Sequence, residues 1–397
     1  MKLIANQSLI FVIGVLFILS CSKEQPYSPT HNDELNLTNN VLKKKYSGLC
    51  IFGPETFTVP QEKSKTKKRI TRLFEVNDLN GAFIFRLVNG DGEGLQFVKN
   101  ADIRLNKKRV ENDHWIYLDE QGTKSRPRFP NGRKGSGYEY AKYLDVDLDF
   151  IVESTNELQV ELDGKEGCYV TLEIIFQPFP LTIIDENFDS HPEGPLPKKL
   201  PLTINGKWQI KDGAPEINFQ AVINNSDISP PSGSHCYEMS KNSIDLTKGL
   251  HMAAWEAWLM GRKGYQEVKI KPMQTNCFIH ISNIGQWSHM GRVFFDINGK
   301  IKVDNGKGNP TYLCDYQENV WYQIKMIFDA ITDTYLVLIN GNPYGPFTCH
   351  ETDAYYFHGH LWIGIPWQRG TAYIDDMKVV FEEAVVWQEW MDENGPG

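Results

Sequence analysis

The sequence predicts an all-β protein, on three observations. Apolar and polar residues alternate with period two in runs such as "YLVLING" (335–341) and "WYQIKMIFD" (321–329), which is the side-chain period of a strand. Asn-Gly pairs stand at 89–90, 131–132, 205–206, 298–299, 305–306 and 340–341, and such pairs accept the positive φ values of tight hairpins. No amphipathic stretch long enough for a stable helix follows the N-terminal segment. In the first run Val337 and Ile339 point one way and Leu336 and Leu338 the other, so the strand is predicted to be buried on both faces. In the second, Tyr322, Ile324, Met326 and Phe328 share one face, with Gln323 and Lys325 opposite.

At 397 residues the chain suits two domains. Its start carries Lys2 and the apolar run "LIFVIGVLFIL" (9–19). That run is too short to span a bilayer, which takes about 20 residues, and it fits the hydrophobic region of a secretory signal. It ends in "ILSC" (18–21), which resembles the lipobox of bacterial lipoproteins. The resemblance implies that residues 1–21 are a signal peptide and that Cys21 is lipidated and begins the mature chain. An ordinary signal peptide with a chance cysteine is the alternative. Residues 22–45 are polar, contain two prolines and show no periodicity, the composition of a flexible tether. The expectation is therefore a bacterial cell-envelope protein held by lipid, at the outer membrane, with the side it faces left open. The 41 Lys+Arg against 50 Asp+Glu argue against a nucleic-acid partner, whose phosphates demand a basic face. The basic run "EKSKTKKR" (62–69) reads as a solvated loop. Besides Cys21 there are Cys50, Cys168, Cys236, Cys277, Cys314 and Cys349. An exported chain permits disulfides, and a link between Cys50 and Cys168 or buried free thiols stay open.

The first body is expected over 46–178, with strands "ITRLFEV", "GAFIFRLVNG", "ADIRLN", "LDVDLDFIV", "NELQVEL" and "CYVTLEIIF". This order, with one strand ending in Asn-Gly and a later "NELQVELDG", resembles a small β-sandwich module of secreted bacterial proteins. The insert at 119–140, rich in Gly, Pro, Arg and Lys, is expected to be a long mobile loop. "FQPFP" (176–180) is a proline-punctuated junction. The second body is expected over 183–383. Its opening "ENFDSHPEGPLP", its "GKWQI" and its closing "YIDDMKVVF" resemble the concanavalin A-like, laminin-G-like jelly roll. "NVWYQIKMIFDAITDTYLVLINGNPYGPF" suits the late hairpin of that fold. Residues 384–397 read as a C-terminal tail.

First and last strands are neighbours in a jelly roll, so the carboxylates of Glu186, Asp189 and Asp375 could converge there. Hard oxygen ligands from adjacent strands suit Ca²⁺, and the resemblance implies a structural calcium at such a place. Asp145, Asp147 and Asp149 share one strand face and read as solvated. "HGH" (358–360) sets two imidazoles on one side of a strand but specifies no third metal ligand. The paired-carboxylate strand motif of jelly-roll glycosidases is missing, as are the nucleophile elbow and the phosphate loop. The reading therefore leans away from catalysis, with a polysaccharide lyase or glycoside hydrolase whose site is not recognised as the alternative, and a protein-interaction module as a third. Aromatic residues make up 12% of the chain, and rings offer faces on which sugars stack. Trp287, Arg292, Tyr355, His358, Trp367 and Arg369 are the candidate glycan-binding residues, standing near Gly or Pro in rim-like runs. Trp362, flanked by Leu361 and Ile363, is expected in the core.

Overall fold

The computed structural model describes residues 49–59, 69–89, 100–110, 116–117, 138–144, 151–164, 166–196, 207–212, 215, 217–243, 245, 249–285, 289–306, 308–350 and 357–386. Their regular structure is all β, as the alternation predicts. The lipobox with Cys21, the tether, Asp145 to Asp149, Trp287 and Tyr355 lie outside the described residues.

The first body comprises β1 (Leu49–Thr58), β2 (Arg69–Val76), β3 (Gly81–Asn89), β4 (Asn100–Leu105), β5 (Lys108–Arg109), β6 (Ile116–Tyr117), β7 (Tyr138–Leu144), β8 (Ser154–Asp163) and β9 (Tyr169–Pro178). Two sheets, β1-β9-β3-β7-β6 and β2-β8-β4-β5, face each other as a sandwich. Phe83, Phe85 and Leu87 of β3, Ile103 and Leu105 of β4, Leu158 and Val160 of β8 and Leu172 of β9 fill the space between them. Four strands lie outside the expected set, β1, β5, β6 and β7, the last beginning at Tyr138 within the segment expected to be a long loop. The register of β1 on β9 sets Cys50 opposite Ile175 and Thr58 opposite Tyr169. Cys50 and Cys168 thus lie at opposite ends of the pair, about 23 Å apart at the rise of a strand. A disulfide needs its Cα atoms within about 7 Å, so these two do not bond to each other.

The second body comprises β10 (Leu181–Glu186), β11 (Lys207–Asp212), β12 (Phe219–Asn224), β13 (His235–Lys241), β14 (Leu250–Pro272), β15 (Ile279–Gly285), β16 (His289–Asp296), β17 (Lys300–Val303), β18 (Thr311–Asp315), β19 (Tyr322–Asp329), β20 (Thr334–Ile339), β21 (Asn342–Thr348), β22 (Phe357–Ile365) and β23 (Gly370–Val386). This is the jelly roll, with its first and last strands paired, Leu181 opposite Phe381. The 23-residue β14 serves both layers. Its first half pairs with β11 and β22, and its second half with β19 and β23. The crossing passes through Gly264, where a Cβ would stand 2.1 Å from the Val380 carbonyl oxygen. One layer is then β11-β14-β22-β15-β16-β17-β18, and the other carries β12, β13, β23, β19, β20 and β21. The layers meet through Gly291 of β16, packed against Tyr335 of β20 and Met326 of β19.

Tyr322, Ile324, Met326 and Phe328 are all buried, as read from the alternation. In β20, Tyr335, Val337 and Ile339 are buried while Leu336 and Leu338 are only half-buried. The strand therefore has one core face and not two. Asn340 and Gly341 take φ of 50° and 83° in the tight turn to β21, the left-handed backbone that Asn-Gly favours. Burial pushes the thiols of Cys236 and Cys277 up to about 12, which leaves them unreactive.

Candidate functional site

The alternation that buries one side of the β14-β22-β15-β16 layer sets a different set of residues on its other side. Leu250, Met252 and Ala254, then Leu361, Ile363 and Ile365, then Ile279 and Ile281, then Val293 and Phe295 all face the core. The residues between them must point the opposite way. The strand pairings arrange these into rows. One row runs Lys211, His251, Gly364, His280, Phe294 and Lys302. The next runs Gln209, Ala253, Trp362, Ser282 and Arg292. The open face therefore has a tryptophan at its centre and histidines on both strands that flank it.

The side chains close around that tryptophan. The Trp362 ring centroid lies 5.1 Å from that of His251, 5.9 Å from His280, 5.7 Å from His289 and 6.0 Å from His360, the last at an interplanar angle of only 5°. Trp362 Nε1–H donates to His251 Nδ1 at 3.0 Å, which places the His251 proton on Nε2. Gly364 makes the arrangement possible. A Cβ there would meet His251 Nδ1 at 2.7 Å and His280 Cε1 at 2.8 Å. Farther along, Phe278 packs on Phe294 at 5.3 Å and on Trp367 at 4.5 Å. Trp367 is 48% exposed. Its loop is held from below by Lys241, itself 1% exposed. The Lys241 ammonium donates to the carbonyls of Ser243 (2.5 Å), Trp367 (3.1 Å) and Asp245 (3.3 Å).

The electrostatics of the face are balanced. Burial, helped by Lys211, pushes His251 down to about 4. Burial, then neighbouring His251, His289 and Arg292, pushes His280 down to about 3, and burial with Arg292 and His350 pushes His289 down to about 4. All three are neutral imidazoles near pH 7. Arg292 lies over the Phe294 ring, Cζ 5.2 Å from its centroid, and its Nε donates to Asp304 Oδ2 at 2.5 Å. Lys302 donates to Asp296 Oδ2 at 2.5 Å. Three buried polar atoms of this face, His280 Nε2, His289 Nδ1 and Ser282 Oγ, find no hydrogen-bond partner among the described residues.

Of the residues singled out from sequence, Arg292 and Trp367 lie on this face, joined through Phe294 and Phe278. Arg369 stands in the exposed loop after Trp367, its carbonyl accepting from Gln274 Nε2. His358 lies in β22, and its side chain is outside the described residues. Trp362 corrects the sequence reading. It is half-buried on the open face, because Leu361 and Ile363 point into the core and strand residues alternate. His251, His280, His289 and Gly364 were not singled out as a set.

The proposed calcium ligands do not assemble into one site. Glu186 accepts from Phe188 N at 2.6 Å and bonds His191 Nε2 at 2.8 Å. Asp189 accepts from the backbone of Ser234 (2.8 Å) and His235 (2.9 Å), and these bonds hold its carboxyl below the usual range despite some burial. Asp375 is fully buried and accepts from Ser232 N and Asp376 N. Burial pushes it up to about 7. Among the described residues no three His, Cys, Asp or Glu gather as metal ligands. These residues do not fit a calcium ion; they tie loops to strand ends.

No family model matches the sequence, and no curated protein matches it. Solved structures align to parts of it. A sialidase aligns with TM-score 0.40 and 9% identity over 56% of this chain and 21% of its own, so this chain spans about a fifth of that protein's length. The catalytic domain of a glycoside hydrolase family 131 protein from Coprinopsis cinerea aligns with TM-score 0.36 and 14% identity, over 51% of this chain and 97% of its own. The lectin UEA-II, complexed with galactose, aligns with TM-score 0.29 and 11% identity, over 50% and 98%. These likenesses assign no role to any residue of this chain.

Proposed function

We propose that the protein is a non-catalytic carbohydrate-binding protein of the bacterial envelope, anchored by lipid on Cys21, with the Trp362 face as its binding surface. One observation carries the binding assignment. A half-buried indole is surrounded by polar atoms without partners among the described residues, on a face whose other side is core. Buried polar groups are almost always hydrogen-bonded, and a sugar supplies both hydroxyls for such groups and a C–H face for the ring. The glycoside hydrolase alternative needs two carboxyl groups, one of them an acid of raised pKa. Asp304 and Asp296 are the carboxylates placed here among the described residues, and each is tied to a cation. For Asp296, burial is outweighed by the Lys302 hydrogen bond and charge, which leave it below the usual range, the wrong direction for a general acid.

A glycan array probed with the full chain, its Trp362→Ala variant and its Trp367→Ala variant tests the binding reading. Signal from the wild type that both variants weaken is expected. Signal that neither variant changes would move binding off this face. The anchor is tested separately: Cys21→Ala should leave the membrane fraction and take up no lipid label, and a wild type without label would reject lipidation.

A further inference from the structure

We infer that the glycan accepted by the Trp362 face is a neutral one, without carboxylate, sulfate or phosphate groups; this rests on the carbohydrate-binding reading above. An anionic sugar held on a partly desolvated floor needs an uncommitted cation within hydrogen-bond reach. Among the described residues, each cation of the floor is already paired with a carboxylate. The Arg292 guanidinium is bound through Nε to Asp304, whose side chain is 4% exposed. Asp304 is itself fixed, its carbonyl accepting from the Tyr335 hydroxyl and its amide donating to Arg292 O at 3.1 Å. Lys302 is bound to Asp296. His251, His280 and His289 are neutral because burial opposes their charge. Among the described residues the other imidazoles nearby are His360, stacked on Trp362, and His350, bonded to the Gly306 carbonyl and 3.9 Å from Asp304.

Two cations thus meet two carboxylates on the floor. Each pair is neutral as a whole, so a uronate or sulfate laid over Trp362 would meet no net positive charge there. Among the described residues the further cations are Lys211 and Arg369, exposed at the ends of the face, and Lys300, paired with Asp315; water and salt screen them. What the floor does offer is ring faces, neutral imidazole nitrogens and one buried hydroxyl, which are complementary to uncharged hydroxyls and C–H groups.

Affinity electrophoresis of the full chain tests this, in native gels carrying a neutral polysaccharide (β-glucan, galactomannan or arabinan) or a polyanion (polygalacturonate, alginate or chondroitin sulfate). Retardation is expected in a neutral gel, unchanged at about 0.5 M NaCl, where screening acts within a few ångström, and lost in Trp362→Ala or, should that variant fold poorly, in Trp367→Ala. Retardation by a polyanion that these variants abolish would overturn neutrality while leaving the sugar-binding face in place. No retardation by any polysaccharide would overturn both. Asp296→Asn and Asp304→Asn supply a gain-of-function arm. Each releases one cation and should confer salt-sensitive retardation by a polyanion; if neither does, paired charge is not what excludes anions, and the inference falls.

Discussion

The hydrogen bond from Trp362 Nε1 to His251 Nδ1 can be removed without removing the ring, by Trp362→Phe. The phenyl group keeps an aromatic surface among the four imidazoles but carries no donor, so His251 Nδ1 loses its partner on a half-buried site. A neutral hydrogen bond of this kind contributes about 1 kcal/mol. The smaller ring adds a modest loss of packing, giving a total of about 1–2 kcal/mol. For a domain of this size that corresponds to a melting temperature lower by about 3–8 °C. The same bond also bears on protonation. While Nδ1 accepts from Trp362 it cannot take a proton, so the bond adds to the burial that holds His251 at about 4. Losing about 1 kcal/mol of preference for the neutral ring should raise the His251 midpoint by about 0.7 pH unit. Imidazole Cε1–H resonances followed by NMR from pH 7 downward read this directly. A variant that melts lower but leaves the His251 titration unmoved would show that packing alone was lost and that the Nε1–Nδ1 bond is not made.

Four further outcomes are expected. Gly364→Ala should cost about 1–3 kcal/mol through overpacking and shift the His251 titration in the same direction, since the new Cβ would press on the Nδ1 that Trp362 binds; added to Trp362→Phe it should have less than its full effect, because the two act on one contact. Stability measured by denaturant should fall as pH drops from about 6.5 to 4, because the unfolded chain takes up protons on His251, His280 and His289 before the folded one does. Asp375, raised to about 7, works the other way over this range, so three imidazoles less one carboxylate give at most about 3 kcal/mol per pH unit, and a flat profile would contradict the burial of the histidines. Lys241→Met should cost about 3 kcal/mol by leaving three carbonyls unpaired, whereas Trp367→Ala should melt within about 2 °C of the wild type, since a half-exposed ring contributes little to folding; equal losses in the two variants would refute the division between loop anchor and surface ring. Melting with excess calcium and with chelator should coincide, and a clear difference would restore the acidic residues near β10 and β23 as a metal site.

How far the sequence could be read depended on whether the signal was local. The β20–β21 turn and the core face of β19 follow from Asn-Gly chemistry and short-range alternation, whereas the pairing of β10 with β23 follows only from the resemblance to a jelly roll. Trp362 was misplaced for a specific reason. Leu361 and Ile363 make the segment look uniformly apolar, but in a strand flanking core residues put the middle one on the opposite face. The correct signal is present in "HGHLWIGI" and "FIHIS": His360, Trp362 and Gly364 alternate with Leu361, Ile363 and Ile365, and His280 and Ser282 alternate with Ile279 and Ile281. What no local pattern gives is that these runs lie side by side, or that His251 on β14 sits across Gly364 from His280. Those neighbours are joined by long-range pairing, and a shift of one residue would exchange the two faces.

That dependence also makes the face rigid. The register that brings Met252, Ile363 and Ile281 into one core is the register that sets Ala253, Trp362 and Ser282 in one row. Sliding β22 past β15 to move Trp362 would therefore expose Ile363, at about 1.5–3 kcal/mol for each buried aliphatic side chain. The imidazoles are held in turn by packing against the indole from three strands, so little side-chain entropy remains to be lost when a ligand arrives. Trp367 is positioned differently. It stands outside the strands, and its placement depends on the single ammonium of Lys241 beneath its carbonyl. The Trp362 cluster is therefore the fixed part of the surface, and the Trp367 ring is the part whose position can be tuned without disturbing the core.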